Sequence, residues 1–268
     1  MPQLGLGVSR VYPDQSALAV EVPATEYYVG LTSGTSDYLT AATSSDIFGT
    51  GDCSFSFWFN SPTSYADLNF IHMTDNPGAA ASNDQFSVYT DASGNLVVRI
   101  MQGRSLLYNN TFTTPFSGVT PGDWINVAFL FDRDVSYRVY VNNVALTAIV
   151  QTDSGADISV TGALEIGRRN ASATPLYSTI RVDNFALWNT LITPAAVGDI
   201  YAAGVTTPLD LSTASGNYTS GMASGLVAWY KMGDGTEAAA GTTVYDMSGS
   251  AVTPNNLTMT GSPAFIAH

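Results

Sequence analysis

The sequence predicts an all-β fold, two antiparallel sheets packed face to face. Three observations lead there. Apolar residues recur at every second position over strand-length windows, Gly, Asn and Asp cluster between those windows, and a single segment carries helix signals. The clearest window opens after Asp52, where Cys53, Phe55, Phe57 and Phe59 alternate with Ser54, Ser56 and Trp58. Further strands are expected at Leu68–Met73, Gln85–Thr90, Leu96–Met101, Trp124–Phe131, Tyr137–Val141, Leu146–Val150, Ala163–Ile166 and Thr179–Trp188, with Asp91-Ala-Ser-Gly94 as a tight turn. Short strands at this spacing belong to a sandwich or barrel. The helix runs from Pro194, at the first helical position, to Ala203; Thr193 caps it and Gly204 ends it. A small-residue linker follows from Val205 to Ser224, then a strand at Gly225–Met232 and a turn-rich tail at Asp246–Met259. Residues 1–28, broken by Pro2, Pro13 and Pro23, read as an extended arm. The expected organisation is therefore an arm (1–28), a sandwich (29–204), and a linker with a C-terminal β segment (205–268) that packs on the sandwich or on a neighbouring subunit.

Composition fits this reading. In 268 residues, 45% are hydrophobic and 11% aromatic, enough for a large core, while only 12% are charged. Twenty-two acidic residues against nine basic ones give a formal charge of −13, and Lys231 is the sole lysine. Such a field repels phosphate backbones and anionic lipid, so neither nucleic acid nor a membrane surface is expected as a partner. Cys53 is alone, which excludes a disulfide framework within the chain. The opening MPQLGLGVSRVYPDQ has no basic stretch followed by an apolar one, so no standard secretory signal is expected and the chain is read as cytoplasmically made.

The residue inventory argues against catalysis. Retaining glycosidases need two carboxylates about 5–5.5 Å apart, and the four glutamates, Glu21, Glu26, Glu165 and Glu237, form no E-x-D-x-x-E strand pattern. The two histidines are His72, inside an apolar strand pattern, and His268. No nucleophile elbow, phosphate-binding loop or Cys/His zinc spacing occurs. Sugar recognition uses aromatic rings beside polar groups on loops. Trp58, Trp124, Trp188 and Trp229 fall on strand patterns, whereas Tyr65, Tyr108 and Tyr177 fall nearer expected loops and are the candidate ligand-binding residues.

Several segments, in order, resemble one family. Ser36-Asp37-Tyr38-Leu39 is similar to its opening strand, Phe55-Ser-Phe-Trp-Phe59 to its core strand, and Gly122-Asp-Trp-Ile-Asn-Val-Ala-Phe129 to its W-x-H-V-A strand, with Asn126 at the usual His. Tyr137-Arg-Val-Tyr-Val-Asn-Asn143 resembles Y-V-(D/N)-G, with Asn143 at the Gly. Leu164–Arg168 and Ile180–Asn189 are similar to its closing strands, and Thr193–Tyr201 to the helix that follows. Over residues 30–204 the chain thus resembles the laminin-G-like, concanavalin A-type jelly roll.

The resemblance implies a two-sheet jelly-roll sandwich and, in many relatives, a rim calcium ion; Asp183 matches the metal-ligating aspartate by motif, and Asp37 is its expected neighbour. The C-terminal Leu226-Val-Ala-Trp-Tyr-Lys-Met-Gly-Asp-Gly235, Tyr245-Asp-Met-Ser-Gly249 and Asn255-Asn-Leu-Thr-Met259 are similar to a segment of virion proteins of marine tailed phages. That similarity implies a non-enzymatic virion protein (capsid decoration, fibre or appendage) partnered by other virion proteins and by itself, as a trimer in such assemblies. The alternative is a lectin-like module for host-surface glycans, with or without calcium.

Overall fold

The structure, a computed structural model, describes residues 27–41, 51–75, 84–102, 105–132, 135–146, 149–150, 160, 162–171, 173–233, 241–249 and 256–268. The expected arm lies outside the described residues except for Tyr27 and Tyr28. In chain order the strands are β1 (Tyr27–Leu31), β2 (Tyr38–Ala41), β3 (Cys53–Asn60), β4 (Asn69–Thr74), β5 (Gln85–Thr90), β6 (Leu96–Gln102), β7 (Ser105–Phe112), β8 (Trp124–Asp132), β9 (Ser136–Val141), β10 (Val144–Ala145) and β11 (Ile149–Val150). There follow β12 (Glu165–Ile166), β13 (Arg168–Arg169), β14 (Leu176–Tyr177), β15 (Ile180–Trp188), β16 (Leu226–Tyr230), β17 (Thr243–Val244), β18 (Leu257–Thr260) and β19 (Ala264–Ala267). Two helices, α1 (Pro194–Ala203) and α2 (Ser220–Ser224), precede β16.

Two antiparallel sheets form the sandwich. The first runs β10-β9-β8-β3-β15-β1-β19, with β11 also on β9 and β16 also on β15. The second runs β17-β18-β2-β12-β4-β5-β6-β7. β13 and β14 make a separate small hairpin. The expected jelly-roll-like sandwich is the observed fold.

Between the sheets lies a core dominated by phenylalanine. Phe55, Phe57 and Phe59 point inward from β3 and meet Phe70, Phe86, Phe129 and Phe185, with Phe55 and Phe129 stacked at 4.9 Å between ring centroids. Such rings gain about 0.5–1.5 kcal/mol per pair beyond their buried area.

The opposite face of β3 is equally buried, and this the alternation at Ser54, Ser56 and Trp58 does not announce. A third layer explains it: α1, α2 and the residues between them cover the back of the first sheet. Ala128, Leu130, Tyr140, Ala186, Trp188 and Trp229 on the strands pack against Ala196, Val197, Ile200, Leu211, Tyr218 and Met222. Trp58 stacks on Tyr201 at 5.7 Å. Trp188 Nε1 donates to Tyr218 Oη at 2.8 Å, and that hydroxyl donates on to the Leu211 carbonyl at 2.9 Å. A tryptophan N–H buried this deeply needs such a partner. The helix starts as its sequence predicts, with Thr193 Oγ1 accepting from the Ala196 N–H at 3.2 Å behind Pro194.

The last residues complete both sheets. β18 pairs with β2 and β19 pairs with β1. β16 joins β15 beyond β1, and Asp246 fastens the connection. Its Oδ1 accepts from the Trp229 and Ser248 N–H groups, while its own N–H donates to Asn256 Oδ1 at 3.0 Å. The D-x-S of the C-terminal motif is thus a clamp within the chain.

Candidate functional site

One end of the sandwich carries an open groove of about 480 Å³. Three connections build it: β3 to β4, β5 to β6, and β7 to β8. Ser64, Tyr65, Ala66, Ser93, Thr114 and Ser117 are among its lining residues. Its volume lies within the ~300–1,000 Å³ of ligand-binding clefts.

Side-chain-to-backbone bonds fix each wall. In the β3–β4 connection, Ser61 Oγ donates to the Ser64 carbonyl, and Ser64 Oγ accepts from the Ala66 N–H at 3.1 Å. In the β5–β6 turn, Asp91 Oδ1 accepts from the Ser93 and Asn95 N–H groups at 2.8 and 3.0 Å, and Asn95 Nδ2 donates to Oδ2. These bonds hold the exposed Asp91 carboxyl below its ordinary value, those from Asn95 most strongly. Gly94 closes the turn at φ 78°, with the space where a Cβ would lie 3.7 Å from the Tyr65 backbone. Only glycine adopts that conformation without cost. The β7–β8 connection is a run of turns: the Ser117 N–H donates to the Thr114 carbonyl and the Val119 N–H to the Phe116 carbonyl, both at 3.1 Å. Gly122 N–H donates to the Ser61 carbonyl, tying this wall to the first. Thr114 sits at φ 51°, unusual for a β-branched residue and a strain of order 1–3 kcal/mol of the kind found at binding loops.

Tyr65 supplies the aromatic surface. Its ring is half-buried, 4.8 Å from Phe116 and 6.4 Å from Phe59. Burial, with the Asp123 carboxylate adding to it, raises the phenol above its ordinary value, so it stays protonated. Across the Thr114–Ser117 ridge lies a second depression of about 230 Å³, which adds Val119, Val141, Asn142, Val144 and Leu146. Its wall includes the β9–β10 hairpin turn, where Asn142 and Asn143 stand at φ 48° and 62°. A two-residue turn with both central residues left-handed explains why Asn143 serves where glycine is usual.

The other tyrosines lie elsewhere. Tyr108 is on β7, not in a loop, and only 6% exposed; alternation turns its ring into the core, 5.9 Å from Tyr137 and 6.5 Å from Phe131. That placement removes it from the candidate ligand contacts. Tyr177 is on β14, in the small hairpin, with its ring 6.2 Å from Tyr38. Of the three, the structure brings only Tyr65 to the groove.

The two aspartates are held by different partners. Asp37 Oδ2 accepts from the Thr32 N–H at 3.0 Å and Oδ1 from the Ser262 N–H at 2.6 Å. Asp183 is fully buried; Oδ1 accepts from the Asn184 N–H and Oδ2 pairs with His268 Nε2 at 2.8 Å. Among the described residues no three His, Cys, Asp or Glu side chains are grouped to hold a metal. His72 is buried on β4 with Nδ1 2.8 Å from Ser87 Oγ. Glu165 is paired with Arg168. Neither reaches the groove.

A profile described as the concanavalin A-like lectin/glucanase superfamily matches residues 33–198, more than half of the chain. The chain belongs to the concanavalin A-like lectin/glucanase superfamily. Among solved structures, it is similar to a candidate carbohydrate binding protein from Bacteroides ovatus, with a TM-score of 0.58 and 15% identity over 91% of this chain and 60% of that one. It is similar to a variant of the NanB sialidase from Streptococcus pneumoniae, with a TM-score of 0.52 and 16% identity over 66% of this chain and 28% of that one. It is also similar to the receptor binding domain of botulinum neurotoxin D, with a TM-score of 0.50 and 11% identity over 70% of this chain and 48% of that one. This superfamily member thus spans less than two thirds of each of those chains, and at such identities the likeness is one of fold. No curated protein sequence matches. Sequence reasoning missed Ser64, Ser93, Thr114 and Ser117, because hydroxyl residues between strands read as ordinary turn formers.

Proposed function

We propose that the protein is a non-catalytic carbohydrate-binding module whose glycan contacts lie in the rim groove. The observation that carries the reading is the groove itself: an aromatic ring and serine and threonine hydroxyls converge on pinned loops at one end of a lectin-type sandwich. Tyr65 offers a face for stacking, and the hydroxyls and turn backbone offer both donors and acceptors for sugar hydroxyls. Among the lining residues there is no carboxylate pair of the kind glycoside hydrolysis requires. Nothing in the similarities favours the virion assembly implied by the C-terminal motif, and the Asp246 clamp accounts for that motif's Asp and Ser within one chain.

The test is a glycan array probed with the whole chain in multivalent display, which compensates weak sites. Binding to one or more glycans is expected, unchanged by chelator. Tyr65→Ala and Ser93→Trp, the second filling the groove from an exposed turn position, are each expected to weaken it about tenfold or more, the loss of one good contact at about 1.4 kcal/mol. Absence of binding overturns the reading. Release of reducing ends from the bound glycans overturns its non-catalytic part.

A further inference from the structure

The two depressions flanking the Thr114–Ser117 ridge share Thr114, Pro115 and Ser117, so they are parts of one surface. The larger exceeds the size of a single monosaccharide, and the smaller is on the scale of one pyranose ring. Each side presents an accessible apolar residue: the half-buried Tyr65 ring on one and Val144, 65% exposed, on the other. Between them the exposed Thr114 and Ser117 hydroxyls stand on the ridge. Electrostatics narrows the ligand further. The connections that build this surface, residues 61–68, 91–95, 113–123 and 142–146, contain Asp67, Asp91 and Asp123 and no lysine, arginine or histidine. A carboxylated or sulfated sugar would meet like charge with no cation to receive it.

We infer that the site reads the interior of a neutral, linear oligosaccharide laid across the ridge, with Tyr65 holding one part and Val144 the next. This rests on the carbohydrate-binding reading and specifies its ligand. Two shallow contacts joined by one ligand chain act at high effective concentration, so affinity grows with chain length until both are filled.

The experiment is calorimetric titration of the full chain with homo-oligomers of glucose, mannose, xylose and galactose of one to six units, alongside oligogalacturonides of equal lengths. For the bound neutral series, affinity is expected to rise about tenfold or more between one and four units and then level off, with the acidic series much weaker. Val144→Ser, at a solvent-facing position, is expected to weaken four-unit ligands several-fold and to weaken one- and two-unit ligands by a smaller factor. A monosaccharide that binds as tightly as a tetrasaccharide overturns the extended site while leaving the glycan-binding reading standing. So does a Val144→Ser loss that is equal at every length. Tighter binding of the oligogalacturonides overturns the neutral assignment. No binding in any series overturns this inference, and the array decides separately whether the parent reading falls with it.

Discussion

His72 illustrates how a single buried side chain ties stability to acidity. It is buried on β4 and bonded to Ser87 on one ring nitrogen, and burial first, then the Arg169 and Arg168 guanidinium groups, lower its pKa to about 3. The unfolded chain protonates a histidine near 6.5. Between those values the unfolded state binds the extra proton, so stability rises with pH through that window and is lost as pH falls through it. The slope approaches about 1.4 kcal/mol per pH unit for one such group. Urea unfolding from pH 7 to pH 4 is expected to show this loss, and His72→Gln is expected to flatten it. An unchanged slope in that variant would move the effect to other groups. Asp91 acts at lower pH and in the same direction: its carboxyl is held below the ordinary range, so its contribution is complete above that range and disappears as pH falls through the lowered value.

At the scale of elements, α1 and the residues that follow it matter as much as any strand. Thr193 caps a ten-residue helix whose Ala196, Val197 and Ile200 close the back of the first sheet. Thr193→Ala removes the acceptor for the Ala196 N–H and is expected to cost about 1 kcal/mol, read as a lower urea midpoint with unchanged slope. This helix was legible residue by residue because Thr, Pro and Gly each act locally. So were β5, bounded as expected at Gln85 and Thr90, and β3 with its alternating phenylalanines. β7 was not, because Ser105–Phe112 mixes an exposed Leu106 and a half-buried Leu107 with asparagines and takes its strand form from pairing along β6. α2 was also missed: five residues, Ser220–Ser224, held by packing of Met222. Tyr65 was legible as a loop aromatic, but the groove around it was not. Segments distant in sequence build it, and the left-handed Thr114 carries no local signal.

For the whole molecule, closure depends on its C-terminal residues. β19 adds to β1, and His268 packs against Tyr28 and Trp124, 5.3 and 5.4 Å from their rings, and meets the buried Asp183. Removing residues 264–268 strips the edge of β1 and leaves a buried carboxylate without its imidazole. A loss of about 3 kcal/mol or more is expected in equilibrium unfolding. Unchanged stability would show that β19 lies outside the cooperative unit.

The same pairing orders the chain in time. β1 and β2 are synthesised well before their neighbours β18 and β19, which start only at Leu257 and Ala264. Both sheets therefore wait, each with an open backbone edge, until those strands have been made. Contacts this far apart in sequence also form slowly. Until β18 and β19 emerge, the nascent polypeptide is a substrate for chaperones, or for misassembly with its polysome neighbours.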